Sequence, residues 1–147
     1  MESRGIILIA TPDPSTAQQL LEHFSAQGLK AIAVECGSDA MLAVAEENIG
    51  LLILDISVQE PSGTKTVEIL RKMRPRLPVI VLSDDHSVEA GRKILQHGVF
   101  YYFLKPLNLD ELDQIVRIAL AANKQLKAGK DQDAQKAPLG DEKGAMA

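Results

Sequence analysis

The stretch Leu51-Leu52-Ile53-Leu54-Asp55 sets four aliphatic residues in a row and closes them with an acid. A strand with one wet face alternates polar with apolar residues. Continuous apolarity means cover on both faces, as in a parallel sheet between helices. Runs of the same kind lie on either side: Ile6-Ile7-Leu8-Ile9-Ala10 and Ala31-Ile32-Ala33-Val34 before it, Val79-Ile80-Val81-Leu82 and Phe100-Tyr101-Tyr102-Phe103-Leu104 after it. Five buried strands are expected.

Between the runs the period becomes helical. Ala17, Leu20, Leu21 and Phe24 keep the i, i+3, i+4, i+7 spacing of one apolar stripe. Asp13-Pro14 opens that helix with a capping side chain and a proline at the first helical position, and Gly28 is placed to end it. Ser38 is the expected cap of a second helix carrying Met41, Leu42 and Ala45. Val67, Leu70 and Met73 mark a third, and Ile94 and Leu95 a fourth that ends near Gly98. Asn108 and Glu111 have capping-box spacing ahead of the stripe Leu112, Ile115, Val116 and Ala119. The order is strand–helix five times over. Parallel strands need crossover helices, so the fold class is α/β: a doubly wound five-stranded parallel sheet, (βα)5 and flavodoxin-like.

The chain has 147 residues, 46% hydrophobic and 24% charged, the size and balance of one globular domain. The domain is expected over residues 1–126. Residues 127–147 lose apolar periodicity and read as a disordered polar tail. A net charge of -4 argues against bulk electrostatic binding of nucleic acid. No apolar run approaches a membrane span, no secretory signal is visible at Met1-Glu2-Ser3-Arg4, and Cys36 has no partner for a disulfide, so a cytoplasmic location is expected. His23, His86 and His97 lack metal-ligand spacing and read as surface or packing residues. Arg71, Lys72, Arg74 and Arg76 read as a solvated helix end complementing the dipole.

In such sheets, ligands bind at the carboxyl ends of the strands, near the switch in strand order. The residues to inspect are therefore Thr11-Pro12-Asp13 after run one, Asp55 after run three, Ser83-Asp84-Asp85 after run four and Lys105-Pro106 after run five. An acid, a hydroxyl and an amine converging on one edge suit transfer of a phosphoryl group to Asp55: the carboxylate as nucleophile, the other two holding the anion.

This set of residues resembles the receiver domain of bacterial two-component response regulators, over roughly residues 5 to 126. The resemblance implies a phosphoacceptor at Asp55, phosphoryl contacts from Ser83 and Lys105, an aromatic switch at Tyr102, a helix-opening glycine at Gly63 and a cis bond at Lys105-Pro106. It implies a histidine kinase or phosphotransfer protein as phosphoryl source. It also implies a protein target, or a second copy in a homodimer, on the face made by helix four, strand five and helix five. Ile118 and Ala121 broaden the apolar side of helix five, which reads first as a wider core contact and second as a partner surface. Phe100 to Phe103 read as strand core, with motion of Tyr102 against Ser83 as the sharper expectation.

The departure lies after strand one. The family carries two acids there that help hold Mg²⁺; here the positions are Thr11 and Pro12. Asp55 and the Ser57 carbonyl remain as metal ligands, a poor set for an ion that wants several oxygens. Asp13, read first as a helix cap, is the nearest substitute carboxylate; Asp84 and Asp85 are further candidates, read first as residues preceding and capping helix four. Mg²⁺ is therefore expected to bind weakly or not at all, and phosphorylation of Asp55 to be slow or absent. The functional expectation is a single-domain receiver in a phosphorelay with impaired Mg²⁺ binding. The alternative is a phosphorylation-independent pseudo-receiver that acts as a protein-interaction module. Enzymatic turnover is not expected: Asp55-Ile56-Ser57 lacks the second acid of dehalogenase-type phosphatases, and no nucleotide-binding fingerprint is present.

Overall fold

The computed structural model describes residues 5–136. The elements alternate strictly: β1 (Ile6–Ala10), α1 (Pro14–Ala26), β2 (Ala31–Val34), α2 (Gly37–Glu46), β3 (Ile49–Asp55), α3 (Gly63–Met73), β4 (Val79–Ser83), α4 (Val88–Leu95), β5 (Tyr101–Leu104) and α5 (Leu109–Lys136). The strands form one sheet in the order β2-β1-β3-β4-β5, and every pairing is parallel.

Successive side chains of a strand point to opposite faces, and the three central strands divide accordingly. Leu8, Leu52, Leu54, Val79 and Val81 pack with Ala40 and Val44 of α2, Val67 and Leu70 of α3 and Ile94 of α4. Their alternates Ile7, Ile9, Leu51, Ile53, Ile80 and Leu82 pack with Leu20 and Phe24 of α1 and Leu112, Val116 and Ala119 of α5. Both faces are dry, which is why β1, β3 and β4 read as unbroken apolar runs. β2 and β5 differ from that expectation. They are the sheet's edges, and only Phe103 of their eight residues is fully buried. Short apolar runs do not distinguish a central strand from an edge whose neighbours cover it in part.

The helix starts show where local chemistry decided. Asp13 caps α1: its carboxylate accepts the Ser15 amide at 3.1 Å and the Thr16 hydroxyl at 2.7 Å. Gly28 follows α1 with a positive φ of 78°, the left-handed conformation that glycine adopts without penalty. Asn108 accepts the Glu111 amide at 3.1 Å at the head of α5. α2 begins earlier than expected. Its cap position is Cys36, not Ser38, and no side chain caps it. The β3–α3 loop does so instead, with the Gly37 and Ser38 amides donating to the Gln59 and Glu60 carbonyls at 2.9 and 2.8 Å. This rotates the buried stripe to Gly37, Ala40 and Val44 and leaves Leu42 54% exposed. Ser87 caps α4 by accepting the Ala90 amide, and Asp85 accepts the Ser87 amide one step earlier.

α5 reaches Lys136, so residues 127–136 of the expected tail lie in its backbone; residues 137–147 fall outside the described residues. No proline stands between Leu109 and Lys136, and this stretch is rich in alanine, lysine and glutamine. Such residues have high helix propensity and hold a helix without apolar periodicity.

Three residues expected to be solvated or merely packed tie elements together. His23 of α1 lies 2.7 Å from the Asp113 carboxylate of α5, with Gln27 also on that carboxylate at 3.1 Å. Arg71 donates to the Leu77 carbonyl at 2.8 Å, and Arg74 to the Ile49 carbonyl at 2.9 Å.

Candidate functional site at the carboxyl edge of the sheet

The sheet order reverses between β1 and β3, because the chain leaves β1 for β2 on one side and returns to β3 on the other. A crevice opens at such a point. The register pairs Ala10 with Leu54, so Thr11 and Asp55 follow side by side. β4 lies on the other flank of β3, with Asp55 opposite Leu82 and Ser83 one step beyond. Ser83 pairs with Leu104, which delivers Lys105 to the same edge. Four strands thus bring together Thr11, Asp55, Ser83 and Lys105.

The Asp55 carboxylate is 2% exposed and accepts four hydrogen bonds. Oδ2 takes the Lys105 ammonium at 2.6 Å and the Thr11 hydroxyl at 2.9 Å. Oδ1 takes the Ser57 hydroxyl at 2.7 Å and the Ser57 amide at 3.0 Å. Burial by itself pushes the carboxyl's pKa up. The Lys105, Ser57 and Thr11 donors outweigh it and hold Asp55 below its ordinary value, as the anion. Two acceptor positions per oxygen are filled, which is the usual capacity of a carboxylate.

Thr11 is itself buried and held from behind: the Asp13 amide donates to its Oγ1 at 3.1 Å. The Ser57 carbonyl accepts the Gln59 side-chain amide at 3.3 Å. Both carboxylate oxygens of Asp55 and the Ser57 carbonyl, the atoms the resemblance gives to a cation, are therefore already hydrogen-bonded by the chain's own donors. Asp13, the substitute ligand, has its two oxygens turned to Ser15 and Thr16. Among the described residues no three His, Cys, Asp or Glu side chains gather as a metal cluster.

Gly63 opens α3 where a Cβ would run into the Ile56 carbonyl oxygen, so only glycine lets α3 sit this close to the Asp55 loop. The Lys105–Pro106 bond is cis, as is Glu60–Pro61. This geometry, a buried acid ending β3 with a hydroxyl and a lysine from the ends of β4 and β5, matches a known pattern. Residues 7–117 match the family described as response regulator receiver domain.

The chain belongs to the response regulator receiver family.

The receiver is 32% identical to Regulatory protein AtoC of Escherichia coli K12 over 114 residues, 78% of this chain and 25% of that protein. It spans about a quarter of the length of the curated regulators it matches. Among solved structures, a response regulator receiver protein from Pseudomonas putida is 27% identical with a TM-score of 0.75, covering 80% of this chain and 98% of that one. A CheY-like receiver from Methanospirillum hungatei has a TM-score of 0.78 at 22% identity, covering 84% of this chain and 98% of that one, a likeness of fold.

Two further placements complete the receiver's site. Ser83 accepts the Asp85 amide on its hydroxyl at 3.0 Å. Tyr102 is half-buried with its ring against Gly91, and its hydroxyl donates to the Asp85 carbonyl at 3.1 Å rather than meeting Ser83. The His86 ring donates to the Lys105 carbonyl at 3.2 Å, joining the β4–α4 and β5–α5 loops. Ser83, Thr64, Lys93, Ile94 and Tyr102 line an open cavity of about 410 Å³ to which Asp55 does not contribute. The sequence pointed to Asp55, Ser83, Lys105 and Tyr102, and the first three converge at this edge. It did not point to the hydroxyls of Thr11 and Ser57 or to Gln59. A hydroxyl two residues after an aspartate is a local turn signal, so the Ser57 bond was open to discovery; Thr11 stood out only for the carboxylate it lacks, and Gln59 not at all.

Proposed function

We propose that this receiver works as a phosphorylation-independent interaction module of two-component signalling, with Asp55 held as a structural anion. The observation that carries the reading is the saturated Asp55 carboxylate. To attack phosphorus, one of its oxygens must give up a donor. The product would replace a singly charged carboxylate by an acyl phosphate of about two negative charges, roughly one more than at rest, against the Lys105 ammonium that already pairs with Asp55.

A second observation says where such a module would act. Of the six large apolar residues exposed among the described residues, four belong to the α4–β5–α5 face: Val88, Leu95, Leu104 and Ile118. Ile118 is 56% exposed and so does not serve the core. The partner is a downstream protein, or a second copy of the chain, that covers this apolar face in the cytoplasm. No helix among the described residues is long and apolar enough to cross a membrane. Turnover of an external substrate forms no part of this reading.

The retained Ser83 and Lys105 favour one other reading, in which a histidine kinase or phosphotransfer protein drives slow transfer to Asp55. Intact-mass measurement after incubation with acetyl phosphate and Mg²⁺ separates the two. The expected result is an unmodified chain. One phosphoryl group on the wild type, absent from Asp55→Asn, overturns the proposal and supports the alternative.

A further inference from the structure

The family fold implies Mg²⁺ at this edge, and the residues present do not fit it. The fit fails on donors, not on shape. A cation needs lone pairs of Asp55 and of the Ser57 carbonyl; all four acceptor positions of Asp55 are filled by Thr11, Lys105 and Ser57, and Gln59 takes one of the two on the carbonyl. The Asp55 charge is already paired with the Lys105 ammonium 2.6 Å away.

We infer that Thr11 stands in for the divalent cation: its hydroxyl proton, aimed at Asp55, fixes the carboxylate and makes the resting site independent of Mg²⁺. The inference rests on the reading of Asp55 as a structural anion. Proton bookkeeping supports the direction of the bond. The Thr11 oxygen carries one proton. One of its two lone pairs accepts the Asp13 amide at 3.1 Å, and Asp55, which already accepts from Lys105 and Ser57, is acceptor-only as the anion. The hydroxyl proton therefore belongs between Thr11 and Asp55, where the two oxygens are 2.9 Å apart. Thr11 is 1% exposed and Asp55 2%, so water does not compete for that bond. A threonine has the reach and the single proton for this task. A carboxylate in its place would repel Asp55 and require a cation between them. The identity of residue 11 thus decides whether the pocket is closed by a proton or by a metal.

The test is an amide NMR titration of the full chain with paramagnetic Mn²⁺, with Mg²⁺ as competitor. Wild type should show no saturable broadening at the amides of Asp55, Ser57 and Gln59 at millimolar ion, and Thr11→Ser should behave the same way. Thr11→Asp should gain broadening there that Mg²⁺ reverses. Saturable, Mg²⁺-reversed broadening in the wild type overturns the inference. Thr11→Val keeps the test decisive if the aspartate variant fails to fold. With the proton donor lost, the urea-unfolding midpoint should fall by the same amount with and without millimolar Mg²⁺, and an unchanged midpoint, or one that Mg²⁺ restores, also overturns the inference. The two proposals fail separately. Phosphoryl labelling of Asp55 that persists in a chelator sinks the interaction-module reading and not the cation-free site. Mg²⁺ binding without labelling does the reverse.

Discussion

The Asp55 pocket and the α4–β5–α5 face lie on neighbouring stretches of β5 and are built on opposite rules. In the pocket, polar groups are buried and satisfied: four donors meet one carboxylate that is 2% exposed. On the face, apolar groups are exposed and uncovered, with Val88 at 77% and Ile118 at 56%. Tyr102, Leu104 and Lys105 connect the two, since Tyr102 holds the β4–α4 loop, Leu104 sits on the open face and Lys105 holds the acid. The difference is instructive. A site built for chemistry keeps an acceptor or a ligand position open, whereas a site built for binding leaves apolar area uncovered. Here the acceptor positions of the acid are filled, while apolar residues of α4, β5 and α5 stand uncovered.

The largest way to break this contrast is to open the pocket by charge. Lys105→Met leaves a buried carboxylate without its countercharge and should destabilise the fold by about 3 kcal/mol, measured by urea unfolding near neutral pH. The companion Asp55→Asn, Lys105→Met should recover much of that loss. If the single variant unfolds at the wild-type midpoint, Lys105 is not the group that holds the acid.

Next comes removal of the proton donor. Thr11→Val should cost about 1.5 kcal/mol, the usual worth of a hydrogen bond to a charged acceptor, and Thr11→Ser much less in the same unfolding experiment.

Acid should act on the same network. Asp55 and Asp113 both have carboxyls held below the ordinary value of 3.8. For Asp113, burial raises the value and the hydrogen bonds of His23 and Gln27 outweigh it. A carboxyl whose pKa falls on folding adds stability that is complete above its unfolded value and fades as pH drops through the lower, folded one. Thermal unfolding should therefore be flat in these two groups near neutrality and lose stability below about pH 4. Asp55→Asn should show a shallower loss. An equal loss would mean that other carboxyls dominate acid unfolding.

The smallest expected effect sharpens the contrast from the other side. Ile118→Glu and Leu95→Glu should each leave stability within about 0.5 kcal/mol of wild type, because neither residue is in the core. A loss of several kcal/mol in either would show that this face is structural and not a docking surface.

Much of the molecule was legible beforehand, for reasons that differ by element. β1, β3 and β4 were read correctly because both of their faces are dry. Asp13 was read as a cap because its partners, Ser15 and Thr16, are its neighbours in sequence. The α2 start was misplaced because its cap comes from the β3–α3 loop, more than twenty residues away. Ile118 was read as core because a stripe shows which residues are apolar and not how wide the contact is.

By itself the sequence determined the order of strands and helices, the acid at the end of β3 and the hydroxyl and lysine ending β4 and β5. These are local properties: periodicity, capping and the composition of short runs. It also showed that Thr11 and Pro12 lack carboxylates. Only the tertiary structure decided what Thr11 does instead. Its role depends on the register that sets Thr11 beside Asp55, on the Asp13 amide behind its oxygen and on the exclusion of water around both. A hydroxyl has no fixed meaning in a sequence, because it donates or accepts according to what stands opposite, and the sheet decides what stands opposite.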